Sequence, residues 1–263
     1  MTITSLTNAT VKLLASLRME KFRAEHDLFL IEGARTAFDA LKTGAVPKFL
    51  AYQNGPPDTA ALETLMTACR KAGGTCIAVS AAVMSKITHK DNPQSIAAAY
   101  AIQYRAFSDL RPATGQLYLA LDSIRDPGNL GAIIRTADAV SASGVLLIGA
   151  SCDPYAVECV RATTGSIFRV PVYSGSQEQF VALAQRWPGA VIGTSSTGSD
   201  HYRKINLKTP VLAVLGTEQS GMSNAVERAC QKVVHIPMYG GAESLNIAVA
   251  AGVLLYGIRE TLA

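Results

Sequence analysis

The 263-residue chain lacks most of the signatures by which a sequence declares its chemistry. It has no G-x-x-x-x-G-K-[ST] phosphate loop, and no G-x-G-x-x-G follows the first strand of either half. Those absences argue against a P-loop nucleotidase and against a nucleotide-dependent oxidoreductase of doubly wound fold. There is no G-x-S-x-G elbow, and His201 and His235 have no evident serine or cysteine partner, so a hydrolase triad has no support. The five cysteines (Cys69, Cys76, Cys152, Cys159, Cys230) are scattered. Cys69/Cys76 and Cys152/Cys159 share a spacing, but no histidine lies near enough to complete a zinc site, and no metal is expected. No apolar run is long enough to cross a bilayer uninterrupted, which excludes a membrane-spanning helix. The N-terminal stretch lacks the apolar core and small-residue cleavage site of a signal peptide. An odd cysteine count without an export signal fits reduced thiols in a cytoplasmic protein.

What is present is ordinary globular material: 49% hydrophobic and 17% charged residues, enough for sizeable cores. The net charge of +4 is unevenly placed. Residues 1–111 carry 13 Lys/Arg against 9 Asp/Glu, and residues 112–263 carry 11 of each. The first part is therefore expected to attract a polyanion, with Lys12, Lys21, Arg23 and Arg35 as candidate contacts to it. An amphipathic helix is expected over residues 8–25. Strands at 28–31, 49–52, 76–79 and 96–102 alternate with helices at 34–42, 59–72 and 81–86, and a Gly-Pro-Pro-Asp turn occupies 55–58. This is a small α/β domain over residues 1–104. The polar stretch 105–116, with Pro112 and Gly115, reads as a linker. Beyond it the alternation restarts, with near-continuous apolar strands at 117–121, 145–148, 190–194, 211–215 and 233–236. Such runs are expected of a parallel sheet covered on both faces, giving a second domain over residues 117–263.

Three loops at strand ends carry candidate chemistry. In LDSIRDPGNLGAIIRTADA (121–139) a strand runs through a Pro-Gly turn into a helix with Asn129 near its start and Arg135 two turns in. Arg135 is able to hold a phosphate bidentately and Asn129 to hydrogen-bond a ligand; equally, they suit a solvated helix face and an N-cap. In VLAVLGTEQSGMS (211–223) a buried strand runs into Gly216, where a ligand is able to approach closely, and Glu218 stands beside it. In HIPMYGGAESLNIAVAAGVLLYGIRE (235–260) a strand ends, a Gly-Gly loop follows, and Glu243 and Ser244 mark the start of an uncharged, Ala/Gly-rich helix. Alone this last stretch reads as a core helix with an ordinary cap; the alternative is a ligand held at the helix N-terminus.

Together, Asn129…Arg135, Leu-Gly-Thr-Glu-Gln-Ser-Gly (215–221) and Ile-Pro-Met…Glu-Ser-Leu-Asn-Ile-Ala-Val-Ala-Ala (236–251) closely resemble the SPOUT-class RNA ribose 2′-O-methyltransferases of the TrmH (SpoU) family. The resemblance covers the whole chain. FLIEGARTAFDAL (29–41) and the preceding helix are similar to the small L30-like substrate-binding domain of those enzymes, and RATTGSIFRVPV (161–172) also matches, with Arg161 as a candidate RNA contact.

The resemblance implies an α/β catalytic domain with a trefoil-knotted parallel sheet, acting as a homodimer. It implies S-adenosylmethionine held by Thr194 and Ser195, by Leu215 and Gly216, and by Ile236, Met238, Ser244 and Leu245. Catalytic roles carry over to Asn129, Arg135, Glu218, Ser244 and Asn246. Arg135 would position and activate a ribose hydroxyl, Glu218 would orient its loop and Asn129, and Ser244 and Asn246 would fix phosphate and ribose. The implied substrate is rRNA or tRNA, and the charge concentrated in the first domain leans toward rRNA. The competing expectation is a ribosome-assembly or RNA-binding protein without catalysis, which the presence of Asn129, Arg135 and Glu218 disfavours.

Overall fold

The computed structural model of the chain describes residues 2–53 and 59–262, so the expected turn at 55–58 lies outside the described residues. The chain forms two compact units: residues 1–103 with 155–168, and residues 104–154 with 169–263.

In the first unit, α1 (Ala9–Ser16) and α2 (Glu20–His26) precede β1 (Leu28–Glu32), α3 (Ala34–Lys42) and β2 (Phe49–Tyr52). Then come α4 (Thr59–Lys71), β3 (Thr75–Ala78), α5 (Ala81–Thr88) and β4 (Ile96–Ala101). The sheet order is β1-β4-β2-β3, with β4 antiparallel to both neighbours and β2 parallel to β3. Strand alternation divides the apolar side chains between two faces. Leu28, Leu30, Ala97 and Ala99 pack with Val11 and Leu14 of α1, with Leu17 just beyond it, and with Ile87 of α5. Phe29, Ile31, Ile96, Ala98 and Tyr100 pack with Ala37, Leu62 and Leu65 from α3 and α4.

The single helix expected over 8–25 is two. Asn8 caps the first, its Oδ1 accepting from Thr10 N–H at 2.9 Å. At the break, Arg23 Nη1 donates to the carbonyls of Leu17 (3.0 Å) and Arg18 (2.7 Å). A helix end leaves such carbonyls without intrahelical partners, and a buried arginine satisfies them here. Arg23 is only 3% exposed, so its expected role as an RNA contact is corrected: it holds the helix junction.

Residues 155–168 fall, in sequence, among the strands of the second unit, yet they complete the core of the first. Tyr155 and Val160, the latter on α7 (Val157–Thr163), are buried in the cluster around Phe29. The Tyr155 ring lies 4.9 Å from that of Phe29, and Phe168 meets Tyr100 edge-on at 4.8 Å. Tyr155 Oη donates to Gln103 O (3.0 Å) and accepts from Gln103 N–H (3.3 Å).

The second unit is built on a seven-stranded sheet. Its elements are β5 (Leu117–Asp122), α6 (Pro127–Ala139), β6 (Gly144–Ile148), β7 (Val172–Gly175), α8 (Gln177–Gln185) and β8 (Ala190–Thr194). β9 (Asp200–His201), β10 (Val211–Leu215), α9 (Asn224–Ala229), β11 (Lys232–His235) and α10 (Ile247–Leu262) follow. The order is β7-β6-β5-β10-β8-β11-β9, and every pairing is parallel. β5, β6 and β10 are buried along their whole length, as their unbroken apolar runs require of a parallel sheet covered on both sides. One face packs Tyr118, Leu146, Leu212 and Val214 against Phe180, Trp187 and Val226. Phe107 and Leu110, from the polar stretch 105–116, are buried in the same cluster. α6 and α10 pack against each other, Gly252 standing where an added Cβ would lie 3.8 Å from Thr136.

Because the strands are parallel, the loops leaving β5, β8, β10 and β11 emerge at one edge of the sheet, where ligands of open α/β sheets bind.

Tyr155→Ala should lower the unfolding free energy by about 3 kcal/mol, as truncating a buried aromatic does, and Tyr155→Phe by about 1 kcal/mol for the lost hydroxyl contacts. Denaturant titration of the two variants checks both, and equal stability of Tyr155→Ala and wild type would contradict the packing described.

Candidate active site

The loop after β10 is a tight turn. Thr217 N–H donates to Gly221 O (3.0 Å), and Gly221 N–H returns to Thr217 O (2.9 Å). A Cβ on Gly216 would lie 1.9 Å from the backbone carbon of Gly221, so the glycine is required by the chain's own close approach. The turn holds Glu218 at its tip, facing the start of α10.

There the Glu218 Oε1 accepts from Ile247 N–H (2.8 Å) and from Asn246 Nδ2 (2.9 Å). A carboxylate at this end of a helix meets unpaired N–H groups and the positive end of the helix dipole. Asn246 is the cap of α10: its Oδ1 accepts from Ala248 N–H at 3.0 Å. Its Nδ2 also donates to Asn129 Oδ1 at 3.0 Å. Asn129 is set in the first turn of α6, where Asp126 Oδ1 accepts its backbone N–H at 2.6 Å. Three residues more than 25 positions apart are thus joined by one side-chain amide. The helix start expected at Glu243 and Ser244 lies further on. Ser244 is exposed on the loop before the cap, and Asn246 takes the capping role.

Two cavities flank this cluster, and both are lined by Glu218 and Ile247. The first, of about 530 Å³, lies among the ends of β8, β10 and β11. Thr194 and Ser195, Leu215 and Gly216, Ile236 and Met238, and Ser244 and Leu245 all line it. The Thr194 hydroxyl is buried without a hydrogen-bond partner among the described residues. The second cavity, of about 600 Å³, is lined by Asn129, the loop after β5 and the opposite side of the Thr217–Ser220 turn.

Arg135 is not part of the cluster. It is exposed on α6, and six residues at about 100° each place it about 120° around the helix from Asn129. Of the expected RNA contacts, Lys12, Lys21, Arg35 and Arg161 are exposed and all belong to the first unit.

Asp122 is a residue that the sequence reading passed over. It is 3% exposed, and its Oδ2 accepts from Ser223 N–H (2.8 Å) and Ser223 Oγ (2.7 Å), while Ser123 Oγ donates to Oδ1 (3.1 Å). It therefore ties the end of β5 to the far end of the Glu218 loop. The signal was available: Asp122 is the one charged residue closing an otherwise apolar strand.

No group of three or more His, Cys, Asp or Glu among the described residues is placed to hold a metal ion. Burial pushes the Cys152 thiol up to about 11 and Cys230 up to about 12, so neither is a thiolate nucleophile at neutral pH. The site offers positioning by amides and a carboxylate, with no thiolate nucleophile.

Comparison with known proteins identifies the family. Residues 116–256 match the model of the SpoU rRNA Methylase family, and residues 8–98 match an MRM3-like substrate binding domain. The chain belongs to the SpoU rRNA methylase family. It is 31% identical to a 23S rRNA (guanosine(2553)-2′-O)-methyltransferase of Bacillus subtilis, over 98% of each chain. It is 37% identical to a 23S rRNA (uridine(2479)-2′-O)-methyltransferase of Streptomyces viridochromogenes, over 56% of this chain and 53% of that one. Among solved structures, an AdoMet-bound rRNA methyltransferase from Sinorhizobium meliloti superposes with a TM-score of 0.92 at 39% identity, covering 100% of this chain and 98% of that one. Asn129, Glu218 and Asn246 all lie within the matched residues 116–256, far apart in sequence and joined in the fold by the Asn246 amide.

Asn246→Ala should cost about 1 kcal/mol of stability through the lost cap. Asn246→Asp keeps the cap but sets a second carboxylate against Glu218. Such crowding raises a folded-state carboxylate pKa above its unfolded value, so Asn246→Asp should be destabilised at neutral pH and recover as pH falls through that raised pKa. Thermal unfolding from pH 4 to pH 8 checks this, and a pH-independent deficit in Asn246→Asp would contradict the contact.

Proposed function

We propose that the protein methylates a ribose 2′-hydroxyl in large-subunit rRNA, using S-adenosylmethionine. The observation that carries this reading is the Glu218–Asn246–Asn129 cluster standing between two cavities, each of a size suited to a small ligand or nucleotide. The first cavity fits the cofactor: it is lined by Thr194, whose hydroxyl has no partner among the described residues, and by Ser195, Leu215, Gly216, Ile236, Met238, Ser244 and Leu245. S-adenosylmethionine supplies an electrophilic methyl group on a positively charged sulfonium.

The remaining work falls to this chain's side chains. The second cavity takes the target nucleotide, with Asn129 on its wall. Asn246 spends both amide hydrogens on Glu218 and Asn129, so the Asn129 carbonyl is fixed and its own amide N–H groups remain to orient ribose or phosphate. Glu218 holds the turn and the cap in register through Oε1, which makes it a positioning residue. Ser244, exposed on the cavity wall, is suited to donate to phosphate or cofactor. The attacking hydroxyl must lose its proton as the bond forms. A guanidinium is a donor and a positive charge and has no acceptor, so the part of Arg135 is to stabilise the developing oxyanion, with the proton passing to phosphate or water.

No hydrogen bond or ion pair joins Arg135 to the cluster among the described residues, and this favours a homodimer in which the partner's Arg135 supplies the charge. Val249 and Tyr256, both about half exposed, lie either side of Gly252 on α10, the residue that faces Thr136 of α6. Seven residues apart, they share one face of the helix, an apolar stripe suited to a two-fold contact. The first unit, carrying Lys12, Lys21, Arg35 and Arg161, would bind RNA. The knotted C-terminal crossing and the cytoplasmic location expected of such an enzyme belong to the same reading.

Transfer of labelled methyl from S-adenosylmethionine to undermethylated total RNA tests the proposal. Wild type should label rRNA, and Arg135→Ala should lose about 100-fold or more in rate, with cofactor binding retained. Equal labelling by the two proteins would overturn the role of Arg135, and no labelling by wild type would favour a non-catalytic RNA-binding protein.

A further inference from the structure

A separate pocket of about 130 Å³ lies wholly within the first unit. It is assembled from four stretches of sequence: the α1–α2 junction, the end of β1, the C-terminal end of α5 and the start of α7. Three of these belong to the N-terminal part of the chain. The fourth is the returning segment 155–168, whose docking beneath Phe29 and Tyr100 sets α7 against β1.

Leu30, Ile87 and Val157 give the pocket one apolar wall, and buried Thr88 lies beside them with its hydroxyl donating to Met84 O (3.0 Å). Deeper polarity is already neutralised: Lys90 pairs with Glu32, whose side chain is 6% exposed. The rim is cationic. Arg18 and Arg161 are both exposed, and neither guanidinium makes an ion pair or a side-chain hydrogen bond among the described residues. His89 joins them, its ring held by a contact of 3.1 Å between Nε2 and Ala15 O, and its backbone in the left-handed region at φ 53°. A non-glycine residue in that conformation is uncommon, though histidine tolerates it better than most. One rim carboxylate, Glu158, stands beside them and is able to accept from a base N–H.

A recess the size of one heteroaromatic ring, with one apolar wall for the ring face and polar groups for its edge, lies under two unpaired guanidiniums and an imidazole and suits a nucleotide with its base inside and its phosphate at the rim. Unpaired RNA bases are recognised by such insertion, and phosphates by arginine. We propose that this pocket binds a single unpaired nucleotide of the RNA substrate, with Arg18 and Arg161 on its phosphate. The proposal rests on the RNA-directed reading above and adds a recognition site that is distinct from the site of methyl transfer.

The test measures both RNA binding and methyl transfer, using undermethylated large-subunit rRNA as the probe. Arg18→Ala and Arg161→Ala should each weaken RNA binding about tenfold and reduce the slope of log Kd against log salt by about one. In turnover the loss should appear in KM for RNA, with kcat at saturating RNA unchanged. Val157→Phe, which fills the recess without altering charge, should weaken binding comparably while its circular dichroism and melting remain those of wild type. Lys71→Ala, an exposed cation elsewhere on the unit, should change nothing. Binding within twofold of wild type in both arginine variants, or in folded Val157→Phe, would overturn the nucleotide pocket. RNA binding is read directly, so the pocket is judged even where wild type transfers no methyl group, an outcome that would count against the catalytic reading alone.

Discussion

The arrangement of the candidate site turns on one carboxylate oxygen. Glu218 Oε1 accepts simultaneously from the first backbone N–H of α10 and from the side chain that caps that helix. The Thr217–Gly221 turn brings the carboxylate to the helix end, and Gly216 permits the turn by having no side chain where Gly221 passes. Asp122 anchors the other end of the same loop through Ser223. A hydrogen bond to a charged acceptor contributes more than a neutral one, and here it holds the wall between two cavities. Removing it would loosen the turn, the cap and Asn129 together.

Much of this was legible in the chain. The strands of the second unit are continuous apolar runs because both faces of a parallel sheet are covered, and residues with that requirement announce themselves. Three loops stood out because polar residues follow those runs directly. Their joint pattern pointed to a family, and the chain belongs to it.

What was not legible depends on contacts distant in sequence. Ser244 is a favoured capping residue, but the helix begins at Ile247 because Asn246 is able to cap it and reach Glu218 and Asn129 at once. Arg23 reads as one more cation on a basic helix, and only the break between α1 and α2 shows that its guanidinium is used on backbone carbonyls. The segment 155–168 has no local feature that assigns it to the first unit; its aromatic residues find Phe29 and Tyr100 only in the folded chain. Gly216 was expected to admit a ligand, and it first of all admits the protein's own backbone.

The central claim is that the chain methylates a ribose hydroxyl and not a base. It is tested most directly by alkaline hydrolysis of rRNA labelled from methyl-labelled S-adenosylmethionine, because strand cleavage by alkali needs a free 2′-hydroxyl. The account predicts that the label remains in an alkali-resistant dinucleotide. Label released among single nucleotides, on the base, would contradict it.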